Sequence, residues 1–189
     1  MQRTAFILLV MALAGCSSEP PPEPPRGALD ERNGIAYEHG ATEPFTGALT
    51  RYHVHDKTQK SNEVFYHEGL KVVQRSWFAN GQLMSEYRFH RGHVVVQRTW
   101  DINGRLLSWN KQAQLAEEQL NRANTLLTPT NASKDYVEGF VWVHIADANG
   151  HENAPLFLNN PPPGITQQQL DEATAIAEGL LAEEFRPAH

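Results

Sequence analysis

The chain has 189 residues, 40% of them hydrophobic and 20% charged, with a formal net charge of −6 at pH 7, as is ordinary for a globular protein. Its single cysteine excludes an internal disulfide, so packing must stabilise the fold. The charge is uneven, because residues 30–105 carry 10 Lys+Arg and 9 Asp+Glu, whereas residues 111–189 carry 4 and 11. The acidic part argues against nucleic-acid binding, which needs a basic surface. It leaves open a cationic partner or simple solubility.

The first fifteen residues have the pattern of a secretory leader. Arg3 is positive, and Ala5–Ala14 is an apolar run of about ten residues, within the signal-peptide range and far short of the roughly 20 needed to cross a bilayer. The small residues Ala14 and Gly15 then precede Cys16, the only cysteine. We therefore predict a signal peptide over residues 1–15, with cleavage before Cys16.

The four residues Leu13-Ala14-Gly15-Cys16 resemble the lipobox of bacterial lipoproteins. The resemblance implies a thioether-linked lipid on Cys16 and acylation of the new amino terminus. Several acyl chains anchor a protein stably where a single chain is marginal. Ser17, rather than an aspartate, follows the cysteine. In this family that residue implies an outer-membrane lipoprotein that faces the periplasm.

Residues 16–29 predict a tether. The stretch SSEPPPEPPRG is rich in proline, and such segments adopt extended polyproline II at about 3.1 Å per residue. Ten such residues would hold the folded body roughly 30 Å from the membrane. A polyproline ligand for a partner domain is the alternative.

The middle of the chain contains a sequence repeat with a period of 23 residues. Residues 69–91 and the segment that starts at residue 92 align without gaps, and an earlier, degenerate copy is predicted over residues 47–68. The matched pairs are Gln74 with Gln97, Arg75 with Arg98, Trp77 with Trp100, Asn80-Gly81 with Asn103-Gly104, Leu83 with Leu106 and Ser85 with Ser108.

Each copy predicts a β-hairpin. Asn-Gly is a strong signal for a type I′ turn, in which both central residues have positive φ, and alternating valines and aromatics on each side suit strands. A single hairpin is unstable alone, so stacked copies must share a core. We therefore predict an antiparallel β-meander of hairpin units, about 23 residues each, over residues 33–110.

At these residues the sequence resembles the MORN-2 repeat variants, also called YwqK-like antitoxins, over residues 35–110. The resemblance implies a β-meander that presents a binding surface, and the family label implies an immunity role. The residues that carry the resemblance are Glu43–Gly47, Trp77, Phe78, Asn80, Gly81, Leu83, Ser85, Glu86, Tyr87 and Gly92.

The C-terminal part, residues 111–189, predicts a small helix–hairpin–helix unit, which gives an α+β fold overall. A helical stripe indicates a helix over Lys111–Leu127, and an apolar run indicates a strand over Tyr136–Asp147 with a returning strand at Ala154–Asn160. A capping box at Thr166 predicts the last helix. The unit is either a separate domain or a cap that covers an open edge of the meander.

The sequence gives little sign of metal or catalytic chemistry. The lipobox resemblance assigns the cysteine to lipid, and no nucleophile elbow or phosphate loop occurs in the sequence. Zinc needs three or four ligands, and the histidines lack a metal-binding motif. We therefore predict no cofactor, no metal site and no enzyme activity. The candidate metal-binding histidine pairs are His53 with His55, His90 with His93 and His144 with His151.

Partner binding is better supported. Arg75 and Arg98 hold equivalent strand positions, each two residues before a tryptophan, so stacked hairpins would align them in a ladder. Alternatively, the tryptophans are core and the arginines cover them. The candidate partner-binding residues are Arg75, Trp77, Arg88, Arg91, Arg98 and Trp100.

Together these patterns predict a non-enzymatic, lipid-anchored outer-membrane protein that binds a protein partner. The sharper form is an immunity protein against an envelope-directed toxin. The alternative is an accessory lipoprotein of a cell-envelope or secretion assembly. The sequence leaves the oligomeric state open.

Overall fold

A computed structural model of the chain describes residues 28–107, 112–128 and 135–182. The predicted leader, Cys16 and all but the end of the predicted tether lie outside these residues. Within them an antiparallel sheet is followed by helices, which confirms the α+β class. No helix in the described part of the chain is long and apolar enough to cross a membrane.

The strands form two antiparallel sheets. A small hairpin of β1 (Asp30–Arg32) and β2 (Ile35–Tyr37) packs against the main sheet where the Ala36 amide donates to the Gly69 carbonyl at 2.9 Å. The main sheet has five strands in chain order, so each strand pairs with the next one along the sequence. These strands are β3 (Gly47–Tyr52), β4 (Lys60–His67), β5 (Leu70–Trp77), β6 (Leu83–His90) and β7 (His93–Thr99).

The tight type I′-like turns do not lie where the sequence predicted them. Gly81 has φ of 85°, but Asn80 does not have positive φ, and the Gly81 amide closes a four-residue turn on the Phe78 carbonyl at 3.0 Å. The Asn80 side chain instead accepts from the Gln82 amide at 3.1 Å, which explains the asparagine without a type I′ turn. Two-residue turns in which both residues have positive φ occur at Asn33-Gly34, Glu68-Gly69 and Arg91-Gly92.

The strand boundaries and register recur along the sheet. β6 begins and ends 23 residues after β4, and β7 begins 23 residues after β5. The cross-strand pair Glu63–Arg75 has its counterpart in Glu86–Arg98, and the register shift at Phe65/Tyr66 has its counterpart at Arg88/Phe89. Neighbouring hairpins are therefore built alike at the level of the backbone.

Four helices follow the sheet in the described residues, and the predicted hairpin between them is wrong. The segments predicted as strands over Tyr136–Asp147 and Ala154–Asn160 are helical. The helix over Tyr136–Ala148 is buried on nearly every side because the other three helices pack against it. Its apolar residues therefore cover most of its surface and show no helical periodicity. The helices are α1 (Gln112–Leu127), α2 (Tyr136–Ala148), α3 (Ala154–Asn159) and α4 (Gln167–Leu181), and the predicted capping box at Thr166 and Gln169 begins α4.

The helices cover the β7 edge of the sheet. The Gln119 side chain, 2% exposed, donates to the Val94 carbonyl at 3.1 Å. The Asn149 side chain donates to the Val95 carbonyl at 3.0 Å and to the Gln119 side-chain oxygen at 2.9 Å. Two side-chain amides thus bind backbone carbonyls near the start of β7, where no further strand pairs in the described residues.

Candidate functional site

The predicted arginine ladder is a row of alternating charges. Glu63, Arg75, Glu86 and Arg98 lie opposite one another on four successive strands, and Thr50 continues the row on β3. The Arg75 Nε donates to Glu86 Oε2 at 2.7 Å, and the Thr50 hydroxyl donates to Glu63 at 3.1 Å. Glu63 and Glu86 alternate with the two arginines and offset much of their charge, so this row is not a cationic surface.

Arg88 lies inside the protein rather than on a binding face. Its side chain is 1% exposed, its Nε donates to Glu86 Oε1 at 3.0 Å, and its Nη1 donates to the carbonyls of Leu180 and Ala182. Burial lowers the pKa of Arg88 despite the adjacent carboxylate. Burial would raise the pKa of Glu86, but Arg75 and Arg88 outweigh it and lower that pKa. Arg88 therefore joins the sheet to the end of α4.

The two repeat tryptophans, Trp77 and Trp100, are half-buried. The Lys60 ammonium lies 5.9 Å from the Trp77 ring centroid, and the Trp100 amide donates to the Met84 carbonyl at 2.9 Å. The cation that the structure places near the Trp77 ring is thus Lys60, on the neighbouring strand. The tryptophans are neither wholly core nor wholly surface, so their burial does not decide between the two interpretations of the arginine face.

Arg91 belongs to a polar cluster where the β6–β7 turn meets α2. The cluster centres on Glu138, which is buried near the start of α2. The His90 Nε2 and the Arg91 Nε approach Glu138 Oε2 at 3.0 and 3.3 Å, and the Trp142 indole donates to Glu138 Oε1 at 2.7 Å. Burial would raise the pKa of Glu138, but His90, Trp142 and Arg91 lower it overall. Glu138 is therefore an ionised anchor for the turn.

Arg122 of α1 reaches across to the same turn. Its Nη2 donates to His93 Nδ1 at 3.0 Å, and its guanidinium carbon lies 5.3 Å from the Trp142 ring centroid. Burial and the nearby Arg122 charge lower the pKa of His93, so the imidazole is neutral at pH 7 and can accept this hydrogen bond. Among the described residues, no carboxylate forms an ion pair with Arg122.

Two open cavities, of about 460 and 530 Å³, flank the Arg122–His93 hydrogen bond. We call them together the Arg122 groove. Both cavities share His93, Glu118, Arg122 and Trp142. Val94 and Leu115 add apolar surface on one side. Arg91, Asn121 and Leu126 line the other side.

The histidine pairs show no metal-binding arrangement. Over the ranges that the structure describes, no three histidine, cysteine, aspartate or glutamate side chains are grouped so that they could hold a metal ion. His151 contacts Glu117 at 2.9 Å and His144 contacts Thr174 at 3.1 Å, so each has a local structural partner.

Of the residues in the Arg122 groove, sequence reasoning proposed only Arg91 as a partner-binding residue. Glu138 and Trp142 were hidden because their segment was assigned to a strand, whereas in a helix their spacing of four residues places them on one face. Arg122 and His93 are far apart in sequence and meet only through the packing of α1 on β7.

No protein-family model, curated protein or solved structure matches this chain. The resemblance to the MORN-2 repeat variants therefore stays a prediction from the residues that carry it.

Proposed function

We propose that this protein is a non-enzymatic binding protein, anchored in the bacterial outer membrane by lipid on Cys16 and facing the periplasm. The lone cysteine directly after the leader supports the anchor, and the proline-rich stretch that follows supports a spacer between membrane and body. The proposal accounts for a cysteine that no internal disulfide can use.

We also propose that the sheet is an array of copies of one hairpin, as in the MORN-2 repeat variants. The strand bounds, register shifts and cross-strand pairs that recur every 23 residues support this origin. An array of this kind presents a surface rather than a catalytic cleft, which favours recognition over chemistry.

The observation that carries the binding function is the Arg122 groove. The groove is open and lies beside the buried Trp142. Its Arg122 guanidinium contacts two uncharged groups, the His93 imidazole and the Trp142 ring. Arginine is among the residues that dominate the energetics of protein–protein recognition sites. We propose a protein partner, in the sharper form a toxin delivered to the envelope that this immunity protein blocks. A membrane tether would raise the local concentration of the inhibitor where such a toxin acts.

The anchor is tested by metabolic labelling with palmitate. The wild-type chain should incorporate label and the Cys16→Ser variant should not. Label that persists in the variant would remove the lipoprotein proposal.

The partner is tested by in-cell photocrosslinking and mass spectrometry. A photoreactive residue at Asn121, in the Arg122 groove, is compared with one at Glu172, an exposed position on α4. One stoichiometric secreted effector captured only from Asn121 supports immunity. A set of envelope or secretion components supports the accessory role instead. No protein captured preferentially from Asn121 would contradict binding at this groove.

A further inference from the structure

The Arg122 guanidinium is oriented but not neutralised. Its described contacts are the neutral His93 imidazole and the face of Trp142, which is 1% exposed. A guanidinium has five N–H donors, and the bond to His93 uses one of them. The remaining donors belong to a half-buried side chain that lines both cavities. Arg122 is therefore arranged to receive an anion.

The two acidic side chains near Arg122 form their described contacts with other groups. Glu138 is bonded to His90, Arg91 and Trp142. Glu118, one turn before Arg122 on α1, is exposed and accepts from the Gln114 side chain at 3.2 Å. Neither forms an ion pair with Arg122.

The same surroundings select among anions. Arg91 pairs with Glu138 at 3.3 Å and with Asp135 at 4.0 Å, so carboxylates of this protein offset its charge, whereas none among the described residues pairs with Arg122. Glu118 lines both cavities and would repel a second negative charge. A phosphate dianion is recognised best by several cations, whereas a carboxylate matches a single planar guanidinium through two parallel hydrogen bonds. The Val94 and Leu115 side chains beside it suit an apolar neighbour of that carboxylate.

We propose that the Arg122 groove binds a carboxylate of the partner protein, either an acidic side chain or the chain terminus, next to an apolar residue. This inference rests on the proposed function, because it names the partner chemistry at the same groove. His93 and Trp142 act as positioning residues that hold the guanidinium, and Arg122 makes the contact with the ligand.

The first test uses NMR of the full mature chain in detergent micelles, with the Arg122 Nε–Hε resonance as the reporter. The probes are N-acetyl-leucyl-glutamate with a free or an amidated terminus, the matching glutamine dipeptide amide, and methyl phosphate. Binding of the amidated glutamate probe assigns a side chain, and binding only of free termini assigns a chain end. Methyl phosphate that binds more tightly than either carboxylate, or no Arg122 shift with any carboxylate at tens of millimolar, overturns the proposal.

The second test separates charge from packing. Arg122→Met keeps an aliphatic side chain beside Trp142 but removes the charge, and we expect carboxylate affinity to fall roughly tenfold to a hundredfold. Arg105→Met, at an exposed arginine in the loop after β7, is the control and should leave affinity unchanged. Equal affinity in the two variants would overturn the proposal.

The photocrosslink at Asn121 distinguishes this inference from the proposed function. A partner captured by the wild type but lost with Arg122→Met supports both. A partner that Arg122→Met captures as well as the wild type refutes the carboxylate contact and leaves the binding function intact. An Arg122 shift with carboxylate probes, but no captured protein, supports the anion site and refutes the protein partner.

Discussion

Arg88 gives the sharpest test of how the sheet and the helices are joined. Its side chain is 1% exposed and bonds to Glu86 on its own strand and to two carbonyls at the end of α4. Arg88→Met removes the charge and these hydrogen bonds and keeps an apolar side chain that fills part of the space. The variant therefore reports the polar contacts more than the volume.

The expected loss follows from the surroundings of the two charges. Breaking a buried ion pair costs about 3–5 kcal/mol, because one charge is left uncompensated. Here Glu86 keeps Arg75 at 2.7 Å, and the carbonyls at the end of α4 are only partly buried, so water can replace part of what is lost. We therefore expect the free energy of unfolding to fall by about 3 kcal/mol, the lower end of that range.

The measurement is urea denaturation followed by tryptophan fluorescence and circular dichroism. Arg105→Met is the surface control and should change stability by less than about 0.5 kcal/mol. The double variant Arg88→Met with Glu86→Gln should recover part of the loss, because the carboxylate that needed Arg88 is gone. A loss below about 1 kcal/mol for Arg88→Met would refute the view that this ion pair is buried and joins sheet to helix.

Three further predictions concern the backbone at a glycine, the β7 edge and the pH dependence of stability. Gly69→Ala should destabilise the fold by more than about 1 kcal/mol relative to Gly34→Ala. A Cβ at residue 69 would lie 2.3 Å from a side-chain carbon, whereas one at residue 34 meets nothing within 4 Å. Similar melting temperatures for the two variants would contradict this. Gln119→Leu should cost roughly 1–3 kcal/mol, because edge carbonyls lose their donor, and Gln114→Leu, exposed on the same helix, should be near neutral by urea titration. Burial lowers the pKa of His144, so its contribution to stability is fully present above pH of about 6.5 and is lost as the pH falls. In His144→Phe the melting temperature should therefore fall less between pH 7 and pH 5 than in the wild type. An equal fall in the two proteins would exclude His144 as a cause of the pH dependence.

Local signals in the sequence predicted the parts of the fold that depend on local chemistry. The capping box at Thr166 and Gln169 sets the start of α4 within one turn, and both of its hydrogen bonds form. The 23-residue spacing likewise predicted an antiparallel sheet, because turn and strand residues recur at fixed distances. The Asn-Gly pairs do mark turns, but only their glycines have positive φ, since the identity of the pair does not fix the turn type.

The failures concern burial and distant contacts. α2 was assigned to a strand because an apolar run that is covered on all sides has no period to read, in a strand or in a helix. The Arg122 groove depends on contacts such as that between His90 and Glu138, 48 residues apart, which local patterns cannot indicate. Arg88 resembles its surface neighbours in sequence, and only the position of α4 makes it a buried residue.

The amides of Gln119 and Asn149 on β7 also bear on how this protein could self-associate. In the main sheet, as far as the structure describes it, these amides bind carbonyls near the start of β7 and β3 pairs on one side only, so β3 is its more open edge for intermolecular pairing. A molecule with one adhesive edge forms a closed pair, because two such edges meet and consume each other. Open-ended fibrils need two edges per molecule. By protecting β7, the helices favour closed pairs over open-ended strand pairing of the main sheet, which would matter for the membrane-anchored protein that we propose.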